Sequence, residues 1–131
     1  MKELLLTIKV SCLQGMEVQG QDCKIVMVPF TGKAYGDYFN GEIIGTGVDT
    51  QRYTGNGGAS LSARYMLSGA DAQGQNCKIF IENSLHDESG WHPVIVTDSK
   101  YLSDWEKKTL VATVDGIEGG VLVQIYSESI D

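Results

Sequence analysis

Residues 60–83 constrain this chain more than any other stretch. Ser60-Leu61-Ser62-Ala63-Arg64-Tyr65-Met66-Leu67-Ser68 and Gln75-Asn76-Cys77-Lys78-Ile79-Phe80-Ile81-Glu82-Asn83 are two alternating runs, separated by Gly69-Ala70-Asp71-Ala72-Gln73-Gly74. Period-two alternation on either side of a glycine-bounded polar loop is the pattern of a β-hairpin. A one-residue slip would turn every side chain over, so the hairpin fixes its own faces. Leu61, Ala63, Tyr65, Leu67, Cys77, Ile79 and Ile81 belong together on a buried face, and Ser62, Arg64, Met66, Lys78, Phe80, Glu82 and Ser84 on the other. Arg64 and Glu82 then lie opposite or diagonal to one another. On a solvent face they form a cross-strand ion pair worth under ~1 kcal/mol. If that face lines a cavity, the guanidinium instead orients an anionic or carbonyl ligand.

The rest of the chain continues the β pattern. Residues 3–13 alternate, with Leu4, Leu6, Ile8 and Val10 on one face and Thr7, Lys9 and Ser11 on the other; residues 14–21 read as a polar loop. Residues 22–35 form a second extended run that Pro29 breaks or bulges. Asn40-Gly41 is a tight-turn signal leading into residues 42–53, where Gly45 and Gly47 mark a kink at a barrel corner. Asp49, Gln51 and Tyr53 share one face there, and Asn56-Gly57-Gly58 turns the chain into the central hairpin. After a polar segment over 84–92 come an apolar strand over 93–97, a helical turn near 103–108 from Ser103-Asp104-Trp105-Glu106, and a closing hairpin over 109–126. Trp105 is expected to plug one end of the core. With 16 glycines, two prolines and short links between strands, the fold class is all-β. The expected architecture is a single domain over 1–131: an antiparallel barrel of about eight strands, lipocalin- or streptavidin-like in kind, with room for one small ligand.

Several functions are excluded. A net charge of -7 lacks the basic footprint that nucleic acid or an anionic membrane surface requires. No apolar run approaches the ~18 residues of a membrane span, so no membrane partner is expected. Cys12, Cys23 and Cys77 are odd in number and widely spaced, which fits reduced thiols in the cytoplasm. His86 and His92 sit in the polar segment with Asp87, Glu88 and Trp91 but have no metal-ligand spacing, so no metal and no cofactor is expected. That segment reads as a solvated loop or as a loop over a barrel mouth. Gly45-x-Gly47 lacks the third glycine and following helix of a phosphate loop, and no Gly-x-Ser-x-Gly elbow supports a serine hydrolase.

Several segments taken together carry a resemblance. They are Gly45-Thr46-Gly47-Val48-Asp49, Ala63-Arg64-Tyr65-Met66-Leu67, Lys78-Ile79-Phe80-Ile81-Glu82-Asn83, Thr97-Asp98-Ser99, Trp105 and Val123-Gln124-Ile125-Tyr126. In order and spacing they resemble the bacterial uncharacterised family labelled domain of unknown function 3237, over about residues 4–128. Thr50, Gln51 and Glu82 depart from that family's pattern, which often has an aromatic near the first two positions and an arginine near the third. The resemblance implies a small-ligand β-barrel with no general assigned reaction, and its matching positions are Asp49, Arg64, Tyr65, Asn83 and Trp105. Three functions are then in play. One is a small-molecule binder for a carbonyl or carboxylate compound, anchored by those residues. Another is a cofactor-independent acid–base enzyme of isomerase, cyclase or lyase type, using Asp49 or Glu82 with Arg64. The third is a structural homo-oligomer built on apolar outer strands.

Overall fold

In the computed structural model, which describes residues 2–85 and 90–128, one antiparallel sheet closes on itself. Its strands are β1 (Lys2–Cys12), β2 (Met16–Gln19), β3 (Cys23–Tyr35), β4 (Phe39–Ile43), β5 (Gly47–Thr54), β6 (Ala59–Asp71), β7 (Asn76–Leu85), β8 (Trp91–Thr97), β9 (Leu110–Ile117) and β10 (Gly120–Glu128). Two pairs of these strands share a stave. β1 and β2 lie end to end along β3, pairing at Thr7–Cys12 and Met16–Gln19. β4 and β5 likewise lie end to end between β3 and β6. The result is a closed eight-stave barrel. The seam between β8 and β9 is the thinnest, carried by a single ladder pair, Trp91 with Ala112.

The central hairpin has the inferred faces. Arg64 pairs directly with Glu82, Tyr65 with Ile81 and Leu67 with Ile79. Tyr65, Leu67, Cys77, Ile79 and Ile81 are buried, while Arg64 and Met66 face out. The hairpin turn is shorter than the glycine-bounded loop read from sequence, since Gly69 and Ala70 are still paired with β7.

Four local expectations are corrected. Leu4 is exposed and Leu5 buried, because a bulge between Leu4 and Leu6 inserts an extra residue and turns the alternation over. Residues 16–19, expected as loop, form β2, whose side chains are all exposed, so burial left no apolar pattern to read. Asn40-Gly41 is not a turn; it pairs with Ala70 and Gly69 inside β4. Gly41 is required there because any Cβ would collide with the Ser68 carbonyl and lie 2.9 Å from Gly69 Cα. Pro29 does not break β3. Its carbonyl accepts from Leu13 N at 2.8 Å, so its absent N–H falls on the same side, at the gap between β1 and β2.

The interior has two ends. At the closed end Leu6, Phe39, Leu67, Ile79, Leu102 and Ile125 are fully buried. A 3-10 turn at Ser103–Glu106 puts the buried Trp105 edge-on against Tyr38, with centroids 6.0 Å apart. The expected capping box does not form, since no side chain caps that turn. Asp71, also buried, accepts from Ser99 Oγ at 2.8 Å and from Gln73 and Gln75 N–H at 3.0 and 3.1 Å. Tyr38 donates to Glu3 at the same end, and that bond raises the phenol's pKa. No described helix is long and apolar enough to cross a membrane. His86, Asp87 and Glu88 of the polar segment lie outside the described residues, whereas His92 and Trp91 belong to β8.

Candidate functional site

The other end of the barrel is not filled. A cavity of about 280 Å³ opens there, walled by Val10, Val28, Leu61, Val114, Val121 and Val123. Phe30 and Tyr65 also line it, meeting edge to face with centroids 5.4 Å apart, and Cys12 and Trp91 contribute less buried surface. Gly47 makes the Phe30–Tyr65 contact possible, since a Cβ there would lie 2.6 Å from both side chains.

Four polar side chains, Asp49, Gln51, Tyr65 and Asn83, line this otherwise apolar chamber, and strand register explains how. Asp49, Ala63 and Asn83 form one row across β5, β6 and β7. Asp49 and Asn83 are therefore two strand spacings apart, about 9–10 Å between backbones, with only a methyl group between them. Tyr65 stands two residues further along β6, on the same face. Asp49 Oδ1, Tyr65 Oη and Asn83 Oδ1 are each buried with no hydrogen-bond partner among the described residues. Tyr65 and Asn83 are 5% and 2% exposed, so solvent does not compensate them.

The second carboxylate oxygen of Asp49 is held. Gln51 Nε2 donates to Asp49 Oδ2 at 2.7 Å, and Tyr53 Oη donates to Gln51 Oε1 at 2.6 Å. This line of three residues runs up the inner face of β5 and holds the carboxylate by Oδ2. Burial pushes the Asp49 carboxyl above its usual range, against a smaller lowering from Gln51. Burial also pushes the Tyr65 phenol strongly upward, so it is a neutral donor at any physiological pH.

Arg64, Glu82 and Trp105 are not part of this constellation. Arg64 Nε meets Glu82 Oε2 at 2.5 Å on the outside of the barrel, with the two side chains 65% and 33% exposed. A residue whose neighbours on the same strand face inward must itself face outward, so the expectation of an interior guanidinium is corrected by parity. Trp105 lies at the closed end, where it lines a separate cleft with Glu3, Tyr38 and Tyr101. Among the described residues the cavity walls include no lysine, arginine or histidine, so a carboxylate ligand finds no counter-charge there of the kind expected from sequence. Among the described residues no group of three or more His, Cys, Asp or Glu side chains is placed to hold a metal ion.

Sequence reading passed over Cys12, Trp91, Ala63 and Phe30. Cys12 continues the alternation of Ile8 and Val10, which pointed to the interior. Trp91 shares a face with the buried Pro93 and Ile95. Ala63 was placed on the correct face, but its small size is what makes the gap between Asp49 and Asn83.

No protein-family model matches the chain, and no curated protein matches it. Solved structures match its fold. A protein of unknown function from Clostridium acetobutylicum is 22% identical with a TM-score of 0.81, the match covering 98% of this chain and 97% of that one. A β-barrel like protein from Acinetobacter baumannii is 18% identical with a TM-score of 0.78, covering 97% and 94%. A protein described as an enzyme from Penicillium herquei is 16% identical with a TM-score of 0.76, covering 97% and 92%. At these identities the likeness is one of fold.

Proposed function

We propose that the barrel binds one small, mostly apolar molecule by a polar end that reaches Asp49, Tyr65 and Asn83. One observation carries this reading: three buried oxygens without hydrogen-bond partners among the described residues belong to side chains that line a single cavity. An unsatisfied buried polar group costs about 1–3 kcal/mol, and three at one spot are unusual in a core otherwise filled with aliphatic side chains. A ligand that hydrogen-bonds them offsets that cost. The volume, just under the ~300 Å³ at which small-molecule sites usually begin, favours a compact ligand. The resemblance to the family of unknown function 3237 belongs to this proposal, as does a cytoplasmic location, with Cys12, Cys23 and Cys77 all unbridged.

The test is a fragment screen by NMR on the whole chain, read at the Asn83 side-chain amide and the Tyr65 ring. Fragments that bind are expected to shift both signals. Hits that shift only outer-face residues, or a complete lack of hits, sink the reading.

A second reading, an acid–base enzyme without cofactor, is favoured by Asp49. A carboxylate held at one oxygen, with its pKa raised by burial and its other oxygen unpartnered among the described residues at a cavity wall, has the properties of a general base. The Penicillium herquei protein, described as an enzyme, supports this reading by its fold. Tyr65 would then be the neutral donor to the developing oxyanion, in place of Arg64. Asp49→Asn is expected to keep the fold and bind neutral substrate while turnover stops. Unchanged turnover in that variant removes Asp49 from any mechanism.

A further inference from the structure

The chemistry of the three oxygens narrows the ligand class, an inference that rests on the binding reading above. An ionised carboxylate and an amide oxygen only accept hydrogen bonds, and a phenol oxygen accepts as well as donates. The free atoms Asp49 Oδ1, Asn83 Oδ1 and Tyr65 Oη are thus three acceptors grouped around the gap left by Ala63. A ligand carbonyl can accept from the Tyr65 hydroxyl or from the Asn83 or Gln51 amide N–H, but it leaves Asp49 Oδ1 and Asn83 Oδ1 unsatisfied. A ligand carboxylate or phosphate would meet Asp49 with no cationic side chain among the described lining residues to offset the repulsion. Lys24, which pairs with Tyr53 in the ladder, does not line the cavity; its Nζ lies over the Tyr53 ring, 5.4 Å from the centroid.

A protonated primary amine has the opposite properties. It offers three N–H donors and one positive charge. Its charge matches Asp49, and Phe30, Tyr65 and Trp91 supply aromatic surface of the kind that attracts cations. The formal charge of the whole chain, -7, also favours the approach of a cation over that of an anion. The remaining wall is aliphatic and suits an uncharged body about the size of one ring. We propose that the cavity takes a small primary amine with a compact apolar or aromatic body, its ammonium seated over Ala63 between Asp49 and Asn83 and against Tyr65.

The experiment is isothermal titration calorimetry of the whole chain near neutral pH with three probes that share one ring: benzylamine, benzyl alcohol and benzoate. Benzylamine is expected to bind at least about tenfold more tightly than benzyl alcohol, and benzoate not to bind. Asp49→Asn should weaken benzylamine about tenfold and leave benzyl alcohol within about twofold. Ala63→Val, which fills the gap with a residue suited to a strand, should abolish amine binding while the far-UV circular dichroism stays that of the native protein.

Equal or tighter binding of benzyl alcohol or benzoate overturns the amine assignment and leaves the binding reading standing. So does a tight benzylamine complex that Asp49→Asn does not weaken. Failure of all three probes also overturns the amine assignment. The broader reading then falls only if the neutral fragment screen is empty as well, so the two failures are distinguishable.

Discussion

The two ends of the barrel hold one aspartate each, buried at one end and half-buried at the other, and treat it differently. Asp71, at the closed end, receives three hydrogen bonds, which satisfy its carboxylate within the protein. Asp49, at the open end, receives one side-chain hydrogen bond among the described residues, from Gln51, and lines a cavity with two further residues whose buried oxygens are unpartnered there. For Asp71 burial acts upward, but bonds from Ser99, Gln75 and Gln73 outweigh it and hold the carboxyl below its usual range. For Asp49 burial dominates and the carboxyl rises. The same residue type in one barrel therefore stabilises the fold at one end and stores unsatisfied polarity at the other. Among the described residues, hydrogen bonding is complete around the Asp71 carboxylate and incomplete around that of Asp49.

The sharpest way to break this contrast is a matched pair on β6. Leu67 and Leu61 share the inner face of one strand, but Leu67 is fully buried and Leu61 borders the cavity. Leu67→Ala is expected to cost about 3–4 kcal/mol in urea denaturation, and Leu61→Ala about 1, because its surroundings already lack contacts on one side. Equal losses would mean that the two ends are equally packed.

The aspartates give the next contrast, read as stability against pH. Asp71, with a depressed folded pKa, contributes stability above its unfolded value near ~3.9, lost as pH falls through the folded value. Asp49, with a raised folded pKa, acts in reverse: the fold loses stability as pH rises from about 4 through the raised value. Asp71→Asn should therefore lower the urea midpoint at neutral pH, while Asp49→Asn should raise it or leave it unchanged. A destabilised Asp49→Asn would show that the carboxylate serves the fold.

Tyr65→Phe tests the same point without charge. Removing an unpartnered buried hydroxyl should change stability by no more than about 0.5 kcal/mol, yet weaken any cavity ligand about tenfold. The smallest effect belongs to the outer face. Arg64→Ala should cost under ~1 kcal/mol and leave ligand affinity unchanged, because its ion pair with Glu82 is exposed and outside the cavity. A large loss of affinity in that variant would place the site on the wrong side of the sheet.

Much of this arrangement was legible in the chain. The alternation of Leu61, Ala63, Tyr65 and Leu67 against Cys77, Ile79 and Ile81 fixed the inner face of the hairpin, because a half-buried sheet cannot tolerate a slip. Gly45 and Gly47 marked the break between β4 and β5, and Trp105 the packed end. Legibility failed where local pattern and tertiary need diverge. Asn40-Gly41 has turn chemistry, but the glycine serves a close backbone crossing. The bulge near Leu5 leaves no mark in composition. Arg64 drew attention as a charged group among apolar neighbours, although the parity that placed Tyr65 inside also placed Arg64 outside. Cys12 and Trp91 reach the cavity through barrel closure, which brings β1 and β8 to the same chamber.

The most direct test of the account is a high-resolution crystal structure of the protein soaked with small polar-headed fragments, amines among them. The account predicts fragment density inside the open end, with a polar atom within ~3.2 Å of Tyr65 Oη and of Asp49 Oδ1 or Asn83 Oδ1. It is contradicted if that end is collapsed, with Asp49, Tyr65 and Asn83 bonded to one another and every fragment on the outer surface.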